Sequence, residues 1–331
     1  MSEWLEAQDE EEALEQLHQL KCTDGLPVVI PTRDRVARMA LASGLDPDLV
    51  LGELGPAMGI ATVEKVSVAA VMAGCKPDYM PIVVAAVKAA AEPAFDLSEL
   101  QATTHCTAPL IIVNGPARLN CGPISSGYGA LGPGHRANAS IGRALRLCMI
   151  NIGGGRPGVS DMALLGHPGK FTYCLAEAEE ESPLPPLHTS LGFDQSDSVV
   201  TLLGCEAPHS VLYSDNADDP EDAEKLLYLL SVGLANMATN NAIFTAGTAL
   251  VVLGPKHANA LARAELGREE IAQRLWELTH HKTADHNRYA GEFGSRFQNE
   301  TYPSFSSPCL LYTSDAADEG LGVDLGGRRI I

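Results

Sequence analysis

Residues 108–120, APLIIVNGPARLN, decide the reading of the fold. Leu110 to Val113 is an unbroken apolar run too short for a helix, and Asn114-Gly115-Pro116 supplies a turn after it. A strand apolar at every position needs cover on both faces, so this run predicts a buried strand of an α/β protein. The pattern returns in TALVVLGPKHANALARA, residues 248–264, where aligning the two Gly-Pro pairs sets Ile111-Ile112-Val113 against Leu250-Val251-Val252. An Ala/Val/Leu-rich helical segment precedes each run, at 79–92 and 221–238. The echo fits a duplicated α/β unit, with pseudo-repeats of about 24–150 and 151–300, and equally fits two unrelated buried strands drawn from one small residue alphabet.

Outward from these runs the alternation continues. LPVVIPTRDRVARMALASG, residues 26–44, reads as a strand feeding a helix. TVEKVSVAAVMAGC (62–75) and NASIGRALRLCMI (138–150) are apolar around most of their circumference, which predicts buried helices. Residues 268–281 read as an ordinary amphipathic helix, 10–20 as an acidic surface helix within an N-terminal segment of 1–23, and 215–224 as a solvated acidic stretch. The whole predicts an α/β fold of interleaved helices and mostly buried strands over 24–300.

Composition narrows the function. The chain has 331 residues, 45% of them hydrophobic, and a formal charge of -19. That is enough for a large core, and the negative charge argues against a phosphate-backbone partner. Nucleic acid is therefore not an expected ligand. The N-terminus, MSEWLEAQDEEEALEQL, lacks the basic and apolar regions of a signal peptide, and no apolar run is long enough to span a bilayer; a cytoplasmic chain without a membrane segment is expected. The eight cysteines include no CxxC pair, so neither a zinc ribbon nor a disulfide framework is expected, and no metal site is assigned. Residues 309–331, CLLYTSDAADEGLGVDLGGRRII, have no helical or strand period and read as a translated sequencing adapter, so the natural chain is expected to break off near Pro308.

Several stretches could carry chemistry. GYGALG, 127–132, satisfies GxGxxG, yet no strand leads into it, Pro133-Gly134 interrupts the turn after it, and no acid stands about 20 residues on. Dinucleotide binding is set aside, and no GK[ST] phosphate loop is present. A tight turn remains, or a glycine loop opening a helix capped at Asn138, whose amides could hold an anion. Arg143 and Arg146 share one face of the helix at 138–150, as an anion clamp or as structural ion pairs. Cys75 ends its helix as a redox thiol if exposed, or as a small buried hydrophobe. QATTHCTAP, 101–109, sets Thr104 and His105 just before the strand, where His105 could act as a base or be held in a turn.

The segment GGGRPGVSDMALLGHPGKFTYCLAEAEEESP, 153–183, concentrates the remaining candidates. Its glycines end a helix, Arg156-Pro157 makes an extended step, and His167-Pro168-Gly169-Lys170 turns into a strand at 171–175. If the chain stays extended, Glu177, Glu179 and Glu181 share one side, and Glu177 lies closest to the apolar strand. Glu177 with His105 or His167 then forms an acid–base pair, while Arg156, Lys170, Arg143, Thr104 and Asn138 bind an anionic substrate.

On DGLPVVIPT, ATVEKVSVAAVMAGCKPDYMP, QATTHCTAPLIIVNGP, HRANASIGRALRL, the 153–183 segment and ALVVLGPKHA, the chain resembles, from Asp24 to about His286, a bacterial family associated with UGSC-motif (seleno)proteins. The resemblance implies no catalytic residues; it adds a thiol or selenol protein to the candidate partners. Three functions stand as expectations. The first is an enzyme of the lyase or hydrolase type acting on a small anionic molecule. The second is a redox component linked to a thiol or selenol, and the third a noncatalytic subunit of a hetero-complex. Self-association into a homo-oligomer is also expected.

Overall fold

The computed structural model describes residues 4–237, 239–245, 247–291 and 299–305, and the backbone of 321–324. The chain is α/β and divides into two compact units. The first takes in the described residues up to Glu177, then His188–Ala207 and Leu321–Asp324; the second takes in Ala178–Leu187 and those from Pro208 to 305. The boundary expected near 150 falls inside the first unit.

The first unit begins with helix α1 (Glu10–Gln19), whose first turn is acidic and capped by Asp9, and α2 (Arg33–Ala42), capped by Thr32. A two-stranded antiparallel ribbon comes next, β1 (Val50–Leu54) and β2 (Gly59–Thr62). Helix α3 (Val63–Met72) buries most of its residues, and α4 (Met80–Ala90) all but Pro81 and Lys88. Short helix α5 (Leu97–Ala102) leads into β3 (Ala108–Asn114). Helix α6 (Ala117–Asn120), helix α7 (Arg136–Asn151), strand β4 (Cys174–Ala176) and strand β5 (Val199–Cys205) complete it.

The main sheet has β3 at its heart, parallel to β4 and antiparallel to β5. Every residue of β3 is buried, as its uninterrupted apolar pattern demands. Ile111, Val113, Val200 and Leu202 share a core with Ala70, Val83, Ile141 and Leu145 from the helices. One contact sets how closely α7 approaches the sheet: a Cβ on Gly142 would lie 2.5 Å from both Thr172 Oγ1 and Tyr173 N. Leu321–Asp324, within the tail expected to stand apart, pairs antiparallel with Val199–Leu202; the rest of 309–331 lies outside the described residues.

The second unit packs helices Asp222–Leu234, Pro255–Arg263 and Arg268–Leu278 around Leu226, Leu227, Leu261 and Leu275. A short antiparallel ribbon joins His280–Lys282 to Thr301–Pro303.

Two expected strands are absent. Residues 26–31 lack sheet pairing because Pro27 and Pro31 have no N–H to give, and Val29 reaches only Met72 O (3.2 Å). The run at 250–252 is also unpaired. Ala249, Val251 and Leu253 turn inward against the helical cluster of the second unit while Val252 is 69% exposed. The echo between 108–120 and 248–264 is thus one of composition: the first run is a sheet strand, the second a partly buried strap leading into a helix.

Candidate functional site

The candidate residues separate to the two ends of the main sheet. At the end where β3 and β4 begin and β5 finishes stand His105, His167, Lys170 and Glu206. At the opposite end stand Glu177, Asn114 and Arg118. Six residue steps along β3 put about 20 Å between the two groups.

The first group is built by two crossing segments. The turn after α5 carries His105, whose amide donates to Thr103 Oγ1 (3.1 Å). Beside it runs 161–170, pinned by Met162 N to Gln101 O (2.9 Å), Leu164 N to Thr104 O (3.1 Å) and Gly166 N to Cys106 Sγ (3.2 Å). The glycines of 153–155 make this crossing feasible. Gly154 has φ +72°, and a side chain on Gly155 would strike Gln101 Oε1. After them Arg156 O accepts the amides of Val159, Ser160 and Asp161, a tight turn that delivers Asp161 into the interior, 5% exposed.

Asp161 takes two cations. Lys170 Nζ approaches Oδ1 at 2.9 Å and Arg146 Nη1 approaches Oδ2 at 3.5 Å. Lys170 also donates to Thr107 O (3.2 Å), which ties the end of the segment to the start of β3. With the Glu206 carboxylate beside His105, the two cations and two carboxylates of this group balance. Burial pulls the Arg146 guanidinium down, opposed by Asp161 and Asp24.

His105 Nε2 contacts Glu206 Oε1, and the hydrogen bond from His105 is the main force holding the Glu206 carboxyl below its ordinary range. Tyr173 Oη donates to Glu206 O (2.9 Å) and so fixes the backbone that presents this carboxylate. A neutral His105 that donates from Nε2 keeps its Nδ1 lone pair, the arrangement of a base oriented by an acid. His167 is the complement. Gly169 N donates to its Nδ1 (3.1 Å), which places the proton of the neutral ring on Nε2. That Nε2 is buried without a well-formed hydrogen bond, the Cys205 backbone giving partial compensation. Burial lowers the His167 pKa; Lys170 and Arg146 add to the shift, and the Cys205 backbone and Glu206 oppose it. Its ring stands edge-on to Tyr173 at 5.7 Å.

The other end is a clamp. Glu177 Oε2 accepts from Asn114 Nδ2 (2.6 Å), and Arg118, 6% exposed, donates from Nε to Gly115 O (3.1 Å) and from Nη1 to Glu177 O (3.0 Å). These bonds close the strand ends after β3 and β4. The strand ends at Ala176, and at 178–182 the chain turns, Glu181 N and Ser182 N both reaching Ala178 O. The extended register that would align Glu177, Glu179 and Glu181 therefore does not exist, and Glu177 is not brought to either histidine.

The remaining candidates are employed elsewhere. Arg143 grips Asp24 with Nε and Nη2 (2.7 and 2.8 Å) and Pro27 O (2.9 Å), the structural ion-pair use. Asn138 is no cap, since α7 starts two residues earlier. It is 2% exposed, and its amide is spent on Ser125 N, Ser125 O, Ala130 O and Cys174 O, holding the glycine loop against β4. Arg156 acts electrostatically on Cys22 and is not among the charges that shift His167, and Thr104 is exposed with its carbonyl engaged by Leu164. Cys75 is buried with its thiol on Ser140 O (3.3 Å), and burial pushes that thiol up to about 12. The GYGALG loop is exposed, closed by His135 Nε2 on Tyr128 O (2.8 Å), and behaves as a turn. Glu206 escaped the sequence reading. The signal was Val199–Leu203, an apolar β-branched run with a lone acid and a proline soon after it.

Among the described residues no cluster of three or more His, Cys, Asp or Glu side chains is arranged to hold a metal ion, and no helix is long and apolar enough to cross a membrane. Comparison with protein-family models, with curated proteins and with solved structures returned no match.

Proposed function

We propose that the chain is a cytoplasmic enzyme acting on a small anionic molecule by acid–base chemistry of the lyase or hydrolase type. His105 is the base, oriented by Glu206; His167, a neutral imidazole, donates a hydrogen bond and keeps its proton; Lys170 meets the anion. The observation that carries this reading is the pairing of His105 with Glu206 beside a second imidazole whose buried Nε2 lacks a well-formed hydrogen bond. Both rings carry their proton on Nε2, but His105 has that proton engaged and its Nδ1 lone pair left over, while His167 has its Nδ1 lone pair engaged, so the two imidazoles offer an acceptor and a donor within one site. Lys170 retains one N–H beyond its bonds to Asp161 and Thr107, enough for one contact to a carboxylate or phosphate oxygen.

A thermal-shift screen of small organic acids and phosphate esters tests the reading by naming a ligand. With that ligand, His105→Asn lowers turnover by about 100-fold or more while affinity stays within a few-fold. Full turnover in His105→Asn overturns the assignment. The redox reading assigned to Cys75 is disfavoured by its burial. A noncatalytic subunit is the second reading, favoured by the exposed leucines of 159–171.

A further inference from the structure

The second unit carries a groove that the acid–base chemistry of the first does not use. Its volume is about 510 Å³, and it runs along the start of the helix Asp222–Leu234. Glu221, Glu224, Lys225, Tyr228 and Leu229 line it from the helix, at the spacing that puts side chains on one face, and Tyr213 lines it from the chain before the helix. Tyr213 is anchored there by its hydroxyl, which donates to Asp222 Oδ1 (2.6 Å), while Tyr228 stands 60% exposed. The open walls are mostly apolar, although half of the lining residues are charged.

The charges decide what fits. Lys225 is bonded to Asp219 (2.6 Å) and Glu221 (3.5 Å), Arg274 to Glu224 (2.7 Å) and Glu277 (3.1 Å), and Arg263 to Asp222 (2.8 Å) and Asp215 (3.6 Å). Each cation is shared between two carboxylates, six against three, so the groove sits in a field of three negative charges. Acids in a first helical turn ordinarily complement the helix dipole, but the dipole supplies only about half a positive charge and leaves most of this excess. The Tyr213 hydroxyl registers the same field: desolvation and its bond to Asp222 push its pKa up to about 12, and the charges of Asp222, Asp219 and Asp215 add to the shift. An anion would be repelled here, whereas phenol rings turn electron-rich faces to a cation and apolar walls cover its alkyl part. We propose that the groove binds a small organic ammonium ion, its charged head among the Tyr213 and Tyr228 rings and the carboxylates of Glu221 and Glu224, its alkyl part on Leu229. The site is independent of the acid–base reading, whose residues all belong to the first unit.

The test is calorimetric titration of the full chain with choline and with 3,3-dimethylbutan-1-ol, which has the same shape with carbon in place of the charged nitrogen. Choline binds about tenfold more tightly than the neutral alcohol. Tyr228→Ala weakens choline binding about two- to fivefold, and Glu221→Gln/Glu224→Gln about fivefold, with melting temperatures unchanged because these side chains are exposed in the folded protein. Tyr128→Ala, fully exposed in the first unit, keeps the wild-type affinity. Equal affinity for the two probes overturns the proposal and leaves an apolar groove without charge selection. Choline binding that survives both groove variants also overturns it, as general attraction to an acidic chain, and so does the absence of choline binding at millimolar concentration.

Discussion

The two ends of the main sheet use similar residues for opposite purposes. Each has a carboxylate, a nitrogen base or amide, and a cation within a few residues of a strand terminus. At the Glu177 end the bonds run between side chains or to a backbone carbonyl, and Arg118 is almost fully buried. At the His105 end the side chains are partly open: His105 is 26% and Glu206 44% exposed, and a ring nitrogen of His167 lacks a well-formed partner. Polar side chains enclosed by their own chain stabilise it; partly exposed ones are open to a ligand. The difference lies in exposure, which residue types alone do not disclose.

The largest expected effect breaks the comparison if it fails. His105→Asn and Glu206→Gln each lower turnover by about 10²–10⁴-fold, whereas Glu177→Gln leaves it within about threefold. Steady-state rates on the ligand found by thermal shift decide the matter. A loss with Glu177→Gln as large as that with His105→Asn would move the chemistry to the opposite end of the sheet.

Stability should invert that order. Arg118→Met strips the carbonyls of Gly115 and Glu177 of their donor in the interior and costs about 3 kcal/mol, read from urea denaturation. His105→Asn, partly exposed and replaced by another polar group, costs less than about 1 kcal/mol. Equal losses from the two would mean that the His105 end is as structural as the other.

How much of this was legible in the sequence depends on the kind of signal involved. Strand β3 and helices α3, α4 and α7 announce themselves because burial on all sides leaves an unbroken apolar pattern, and the structure keeps them within a few residues of their expected ends. His105, His167 and Lys170 were legible as residue types in turn contexts. Their partner Glu206 was not, because it lies 101 positions from His105 and only the antiparallel register of β3 with β5, Ala108 opposite Cys205, brings the two together. Arg143 shows the reverse failure: its pairing with Asp24 spans 119 residues, so a charge on a buried helix looked available when it was spoken for. The strand expected at 26–31 failed for a local reason, its two prolines.

A smaller effect sharpens the geometry of the site's frame. Gly142→Ala puts a methyl 2.5 Å from Thr172 Oγ1 and Tyr173 N and must push α7 off the start of β4. Overpacking of this kind costs about 1–3 kcal/mol. Because Tyr173 fixes the Glu206 backbone, the variant should also lower turnover by a few-fold at a temperature where it is fully folded. An unchanged rate would show that the tyrosine does not transmit position to the carboxylate.

The smallest effect is one of pH, and its sign separates the two ends. His167 has its pKa lowered in the folded protein, chiefly by burial, so above the unfolded value of about 6.5 neither state binds a proton there and the group adds no slope. As pH falls from about 6.5 toward the depressed folded value, the unfolded chain takes up the proton first and stability declines; below the folded value the slope vanishes again. His167→Gln removes that slope because glutamine does not titrate. Melting temperatures of wild type and variant from pH 7.5 down to 5 should therefore converge as the pH falls, by no more than a few degrees. Glu177→Gln, at the other end, should leave the slope between pH 7.5 and 6 untouched, since Glu177 is not among the groups that shift His167. If wild type and His167→Gln run parallel over the whole range, His167 is not held neutral by its surroundings, and its role as a neutral hydrogen-bond donor loses its physical basis.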